Sequence, residues 1–198
     1  MSVRRRRWLA LAVGVPLVAG GVYLWEWLAF PSDHTPDGAY LRIVIAVNRD
    51  APKQCFAYLE TEAQHACYTL RDYRKRSRER LLAAYPEPER TRLAAEWAEI
   101  AAAPDGADVF ALEARRRGWL DLLRRDLSGV RRIEEGGERA TVETARGTRY
   151  PFRRRENGIW GLTLFTAVLV AEAEKAARDA AMVDRAADDY ERAKRAGR

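Results

Sequence analysis

Two cysteines, two histidines and a tyrosine or two in patterned surroundings are the residues of this 198-residue chain that invite chemistry. Cys55 and Cys67 are twelve positions apart. On one continuous helix that is about 18 Å, too far for a sulfur–sulfur bond. If the chain turns at Thr61, each cysteine lies six residues from the corner, and two antiparallel helices can bring them together. A Cys55–Cys67 disulfide is then the expected state in an oxidising compartment, with two separate buried thiols as the alternative. Metal binding is the weakest reading of the pair, because His65 is the one further soft ligand nearby. His65 lies one turn into a predicted helix, where a partly buried structural histidine is the ordinary case. His34 falls in a Pro- and Gly-containing stretch and reads as solvated. No Ser-His-Asp spacing, Gly-rich phosphate loop, paired metal ligands or dinucleotide fingerprint occurs, so no cofactor is expected.

Cationic clusters are the other candidates. RDYRKRSRER, residues 71–80, puts Arg71, Lys75 and Arg78 on one side of a helix at 100° per residue. Together with Arg74 they form a candidate contact for anionic lipid head groups or an acidic partner, against the default of a solvated face. RGTRYPFRRRENGIWGL, residues 146–162, mixes arginines with aromatics as a nucleic-acid grip would. Read with a period of two, it separates. Tyr150, Phe152, Trp160 and Leu162 point one way, and Arg149, Pro151, Arg153 and Arg155 the other.

Net charge supports that separation. The formal charge is +6, but Arg4 to Arg7, with Glu26, supply half of it, leaving +3 over residues 31–198. Arginine outnumbers lysine 31 to 4 and alanine is abundant, which fits a GC-rich coding bias better than a phosphate site at each arginine cluster. Nucleic acid is therefore not an expected partner.

The elements that must position these residues begin with MSVRRRR, residues 1–7, a basic start. WLALAVGVPLVAGGVYLWEWLAF follows, residues 8–30, whose one charge is Glu26. Its uninterrupted apolar run of 18 residues would rise about 27 Å as helix, enough to span a bilayer. Trp8 stands at one end, and Tyr23, Trp25, Trp27 and Phe30 at the other, as interfacial belts do. The arginines before the span predict a cytoplasmic N-terminus and an extracytoplasmic remainder. A cleaved signal peptide is the alternative, with Val18-Ala19-Gly20 as an indifferent cleavage site. Ala10 and Gly14 make a small-xxx-small pair.

Residues 31–38 read as a linker with two prolines. A helix follows to about Asn48, and a short one begins at Pro52. Thr61 and Gln64 suggest a capping box opening a long helix that stops before Pro86. Another helix carries Leu93, Trp97 and Ile100. A further one, capped at Asp108, runs to Leu127 with Leu112, Trp119, Leu123 and Leu127 on one side. From Val130 the period switches to two, and Asn157-Gly158 is a strong hairpin signal. From Thr166 helical periodicity returns, with a seam of Leu169, Ala173, Ala176, Ala180, Val183, Ala187 and Tyr190. Glu174–Arg178 and Lys175–Asp179 are spaced for (i, i+4) pairing on its other faces. The expected class is α+β: an N-terminal transmembrane helix, several helices packed on an antiparallel β-meander, and a long C-terminal helix.

Helices followed by a meander of the form GERATVETARG…YPFRRRENGIWGL resemble the nuclear-transport-factor-two-like superfamily of α+β cones. The matching features are the TPDGAYLRIVIAVNRD helix with a short second helix, the Gly-Glu-Arg-Ala-Thr-Val strand, and Asn157-Gly158-Ile159-Trp160 as a closing "G-x-W" turn. The resemblance covers roughly residues 35–165 and implies a cone-like domain over 39–165, with the helix of 166–198 as a departure from the family pattern. Enzymes of that superfamily place an Asp, His or Tyr inside the cone as acid or base. Here Val142, Tyr150, Phe152, Trp160 and Leu162, with Trp119, would line the interior, and the Tyr hydroxyl is their one polar group apart from the indole N–H. That lining implies a packed core or an apolar-ligand pocket. The expected protein is a single-pass, non-catalytic bacterial envelope protein, inner-membrane anchored with a periplasmic domain, that binds a protein partner or an apolar ligand. An isomerase or dehydratase using Tyr150 or His65 is the alternative.

Overall fold

A computed structural model describes residues 31–197; the expected membrane span, residues 8–30, lies outside the described residues. Among the described residues no helix is long and apolar enough to cross a membrane. Those residues form eight helices and four strands: α1 (Pro36–Asn48), α2 (Pro52–Phe56), α3 (Thr61–Ala84), α4 (Glu89–Glu96), α5 (Ala98–Ala101), α6 (Gly106–Arg116), α7 (Trp119–Asp126), β1 (Val130–Gly136), β2 (Arg139–Thr144), β3 (Arg149–Arg154), β4 (Trp160–Leu162) and α8 (Thr166–Ala196). The class is α+β with a long C-terminal helix, as the periodicities imply.

Several boundaries differ from the sequence reading, each for a local reason. The linker is shorter than residues 31–38, because Thr35 caps α1, its hydroxyl accepting from the Gly38 N–H at 3.3 Å, and Pro36 occupies the first helical turn. The capping box at Thr61 does not form. Glu60 is the N-cap residue, and the Gln64 side chain donates instead to the Phe56 carbonyl at 2.7 Å. Asp105, not Asp108, caps α6, accepting from the Asp108 N–H at 3.0 Å. The helix expected to run on to Leu127 is two, since Gly118 takes φ +66° and breaks α6 from α7.

The sheet is an antiparallel meander in the order β1-β2-β3-β4. Val142 faces Tyr150, Ala140 faces Phe152, and Phe152 faces Leu162, so the predicted inward positions share one face. At β4 an earlier part of the chain crosses the sheet. Leu59 bridges Leu162 in parallel, with the Leu162 N–H donating to the Tyr58 carbonyl at 2.7 Å and the Glu60 N–H to the Leu162 carbonyl at 3.2 Å. Residues 58–60 thereby cover the β4 edge, and α1 lies across the inner face against β1, β2 and β4.

α3 and α8 form the largest helix–helix contact, and they run parallel. Arg74 meets Asp179, Arg76 meets Asp184, and Arg80 meets Asp188 and Glu191, the numbers rising together along both helices. The alanine seam makes this closeness feasible: Leu169, Ala173, Ala176, Ala180, Val183 and Ala187 are all buried. Asp179 pairs across the contact with Arg74 rather than with Lys175 of its own helix, while Glu174–Arg178 stands at 3.8 Å. Aromatic stacking closes the other side of the core, with Trp119 and Phe165 at 4.4 Å between ring centres and Phe110 beside both.

Candidate functional site

The six positions expected to line a pocket form the middle of the core. Val142, Tyr150, Phe152, Trp160, Leu162 and Trp119 are all buried in one apolar cluster with residues of α1, α6 and α8. The Trp160 indole N–H donates to the His34 carbonyl at 3.1 Å, which ties the segment before α1 to β4. Tyr150 packs against Tyr40, ring centres 5.5 Å apart. The Tyr40 hydroxyl donates to the Ser128 carbonyl at 2.7 Å and accepts from the Ser128 N–H at 3.1 Å. The Tyr150 hydroxyl has no hydrogen-bond partner among the described residues. Burial, with Tyr40 and Asp126 close by, holds its pKa well above the ordinary phenol value. A phenol so held keeps its proton and has no acceptor to pass it to.

The basic face of α3 is not a free surface. Arg74 is buried, its guanidinium 2.7 Å from Asp179 and 4.9 Å from the centre of the Trp97 ring. Arg78 donates to the Ala94 carbonyl at 3.1 Å, and Arg71 to the Pro104 carbonyl at 3.0 Å as well as to Asp72. Of the four expected contacts with an anionic surface, Lys75 alone is exposed. The helical wheel places these side chains on common sides, but the acidic flank of α8 and the helices after α3 take up the arginines.

Cys55 and Cys67 are separate buried thiols, so the expected disulfide is not formed. The corner at Thr61 exists, but α2 packs chiefly on α6 and α1 and does not run back along α3. Burial pushes both thiols up to about 12, with Glu113 adding to the effect at Cys67. Neither is a nucleophile near neutral pH.

An open cleft of about 900 Å³, lined mostly by charged residues, lies where the start of α3 meets two turns of the sheet. The start of α3 supplies Glu60, Thr61, Glu62 and His65; the β1–β2 turn supplies Gly137 and Glu138; and the β3–β4 hairpin supplies Arg153 to Glu156 and Gly158. Arg155, expected to face solvent, instead donates to the Ala57 carbonyl at 2.8 Å and to Gln64 Oε1 at 3.1 Å, clamping the hairpin onto the corner. Glu60 is 6% exposed. Burial raises its carboxyl above the ordinary range, Glu62 adds to the rise, and Arg153 and Arg139 act the other way. The cleft thus offers a partly desolvated acid beside guanidinium groups. His65 lines the same cleft from an exposed position, and no hydrogen bond joins it to Glu60. Tyr150 and His65 do not converge: one is inside the core on β3, the other on the outer side of α3.

Glu60 is the residue that sequence reasoning missed. Its signal was weak, a carboxylate directly before a helix whose cap was assigned to Thr61. The stronger clue was Gly161, since a glycine in a buried strand marks close approach by another backbone. Comparisons with protein-family models, with curated proteins and with solved structures find no match to this chain.

Proposed function

We propose that the chain is a single-pass, membrane-anchored, non-catalytic protein of a bacterial envelope, whose α+β domain, held on the extracytoplasmic side, binds a protein partner. The anchor reading is supported by Arg4 to Arg7 followed by the apolar run from Trp8, with an 18-residue stretch free of charge. One observation carries the binding reading: the inner face of the meander is filled by the chain's own side chains. Trp160, Phe152 and Leu162 occupy the place that an apolar ligand or a cone enzyme's substrate would take. A partner must then be met at the surface, and we take a protein as that partner. The helix-then-meander order supports a nuclear-transport-factor-two-like cone, with α8 as an added flank.

The test is protease accessibility of the full chain in spheroplasts and in inverted membrane vesicles. Residues 31–198 are expected to be digested in the first and protected in the second. The reverse pattern would place the domain in the cytoplasm and overturn the reading. Cross-linking in the native membrane, followed by identification of the adducts, then names what the domain touches. The isomerase or dehydratase alternative retains one foothold, the buried acid Glu60 in an open cleft that His65 also lines.

A further inference from the structure

β1 lies at the end of the sheet, and among the described residues no strand pairs with its outer edge. The strand is seven residues long, its side chains are exposed or half-exposed throughout, and Ile133 is 38% exposed. Edges of this length are normally covered or blunted, because their free peptide groups template another strand. The opposite edge, at β4, is covered by residues 58–60. β1 is therefore the edge open to an occupant, and its bulge and four charged side chains restrict which strand can pair with it.

The direction of its peptide groups follows from the register. The Arg154 N–H donates to the Glu138 carbonyl and the Thr144 N–H to the Thr148 carbonyl, so even-numbered residues of β2 bond β3. Odd-numbered residues of β2 bond β1, as the Ala145 N–H does with the Gly129 carbonyl. Their partners on β1 are Arg132, Glu134 and Gly136. Ile133 and Glu135 alternate with these and direct their N–H and C=O groups to the open edge.

The sequence of that edge is VRRIEEG, and it is complementary to its own reverse. In an antiparallel pairing of two copies about a two-fold axis at Ile133, Ile133 faces Ile133. Arg132 then faces Glu134 twice over, and Val130 faces Gly136. Arg131, which the bulge between Val130 and Arg132 displaces from regular register, stands at the level of the second copy's Glu135. A uniformly charged edge would repel its own copy; this one places Arg132 opposite Glu134 on both sides of the axis, while Arg131 pairs with Glu143 of its own chain. From the free edge and its self-complementary charges, we infer that β1 is a homotypic contact, where two copies of this chain join their four-stranded sheets into one of eight. A two-fold interface of this kind closes on itself and forms no fibre. Two short strands bury less than the roughly 1,200 Å² of a stable interface, so the dimer depends on concentration and is favoured where copies share a membrane. The contact needs no particular location of the domain, so it stands or falls apart from the anchor.

Register-specific cross-linking of the full-length chain tests it. Opposed residues of the Arg132–Glu134 type have Cα atoms about 4.5 Å apart, within disulfide reach, whereas the two copies of residue 132 are about 8 Å apart. Differently tagged R132C and E134C chains, mixed and oxidised, are expected to give at least about tenfold more cross-linked dimer than either alone. Cys55 and Cys67, being buried, leave that readout to the new thiols. No excess in the mixture overturns the proposal, including the case of a dimer held only through Ala10 and Gly14 in the apolar segment. By sedimentation, E134R is expected to lower the dimer fraction and R132E/E134R to restore it. The swap also restores the 3.4 Å pair that Arg132 and Glu134 make within one chain, so the E134R chain is in addition mixed with R132E. Neither of these has that pair and each presents opposite charges to the other, so dimer gained in the mixture reports the contact between copies, and a mixture as monomeric as its parts overturns it. A double variant as monomeric as E134R would overturn the pairing.

Discussion

Gly161 sits where the chain crosses itself. A Cβ at that position would meet the Glu60 Cα and N at 2.6 Å and the Leu59 carbonyl oxygen at 2.7 Å. All three are backbone atoms, so no side chain can swing aside. Gly161→Ala must push residues 58–60 off β4 and stretch the two hydrogen bonds that cover that edge. The expected loss is at or above the upper end of the roughly 1–3 kcal/mol that overpacking costs, read as a lowered midpoint in urea. A wild-type midpoint would mean that the crossing is not held this closely. The buried thiols give a second residue-scale expectation. Their folded values, raised from 9.0 to about 12, mean that the folded chain keeps two protons that the unfolded chain releases in between. Their contribution to stability is intact below about pH 9 and is lost progressively as pH rises toward 12. At about pH 8, below both values, neither thiol should react with a disulfide reagent until the chain is unfolded, when both should. Rapid labelling of the native chain, or a native mass lower by the two hydrogens of a disulfide, would contradict the packing of Cys55 and Cys67.

Pairing between α3 and α8 is the interaction that the linear sequence concealed. The seam of α8 was legible, since steps of four and three name the buried residues from Leu169 to Ala187 correctly. Tyr190, its last member, is 39% exposed, yet it still packs edge-on against Tyr85 at 5.1 Å. The inward faces of β2 and β3 were legible for the same reason: period two is a local property. What could not be read is which surface faces which. The basic run of α3 looked like an outer face because its acidic partners, Asp179, Asp184, Asp188 and Glu191, lie about a hundred residues later. Arg155 looked solvent-facing because alternation says nothing of how a hairpin tip folds back. Arg74 tests the helix pair. Arg74→Ala removes both the Asp179 ion pair and the contact with Trp97, leaving a half-buried carboxylate unpaired, and should cost about 2–4 kcal/mol in thermal or urea unfolding. Arg74→Met with Asp179→Leu removes the charges together, keeps the apolar stem, and should lose far less. Equal losses in the two variants would show that the pair itself, and not the stranded charge, stabilises the contact.

Across the whole molecule, an alkaline pI of about 9.6 and 31 arginines suggest affinity for polyanions, yet the fold disposes of most of that charge. Half of the net excess lies in residues 1–30, where Arg4 to Arg7 outweigh Glu26. In the rest, guanidinium groups are spent on the chain's own acceptors. Arg74, Arg76 and Arg80 meet α8; Arg117 joins Glu113 to Glu172; and Arg149 joins Glu134 to Glu143 across the outer face of the sheet. Arg78 and Arg155 hold backbone carbonyls. A phosphate backbone binds by replacing its counterions with free cations, and each such contact steepens the fall of affinity with salt. An arginine already paired with a carboxylate cannot make that exchange without breaking its pair. The domain should therefore bind duplex DNA more weakly than the ~10⁻⁴–10⁻⁶ M usual for non-specific binders at physiological salt, and its salt slope should be shallow. Fluorescence anisotropy with a labelled duplex, repeated from low to physiological salt, measures both. Micromolar affinity with a steep slope would mean that the arginines on the sheet's outer face are freer than Glu134 and Glu143 leave them, and would make nucleic acid a partner after all.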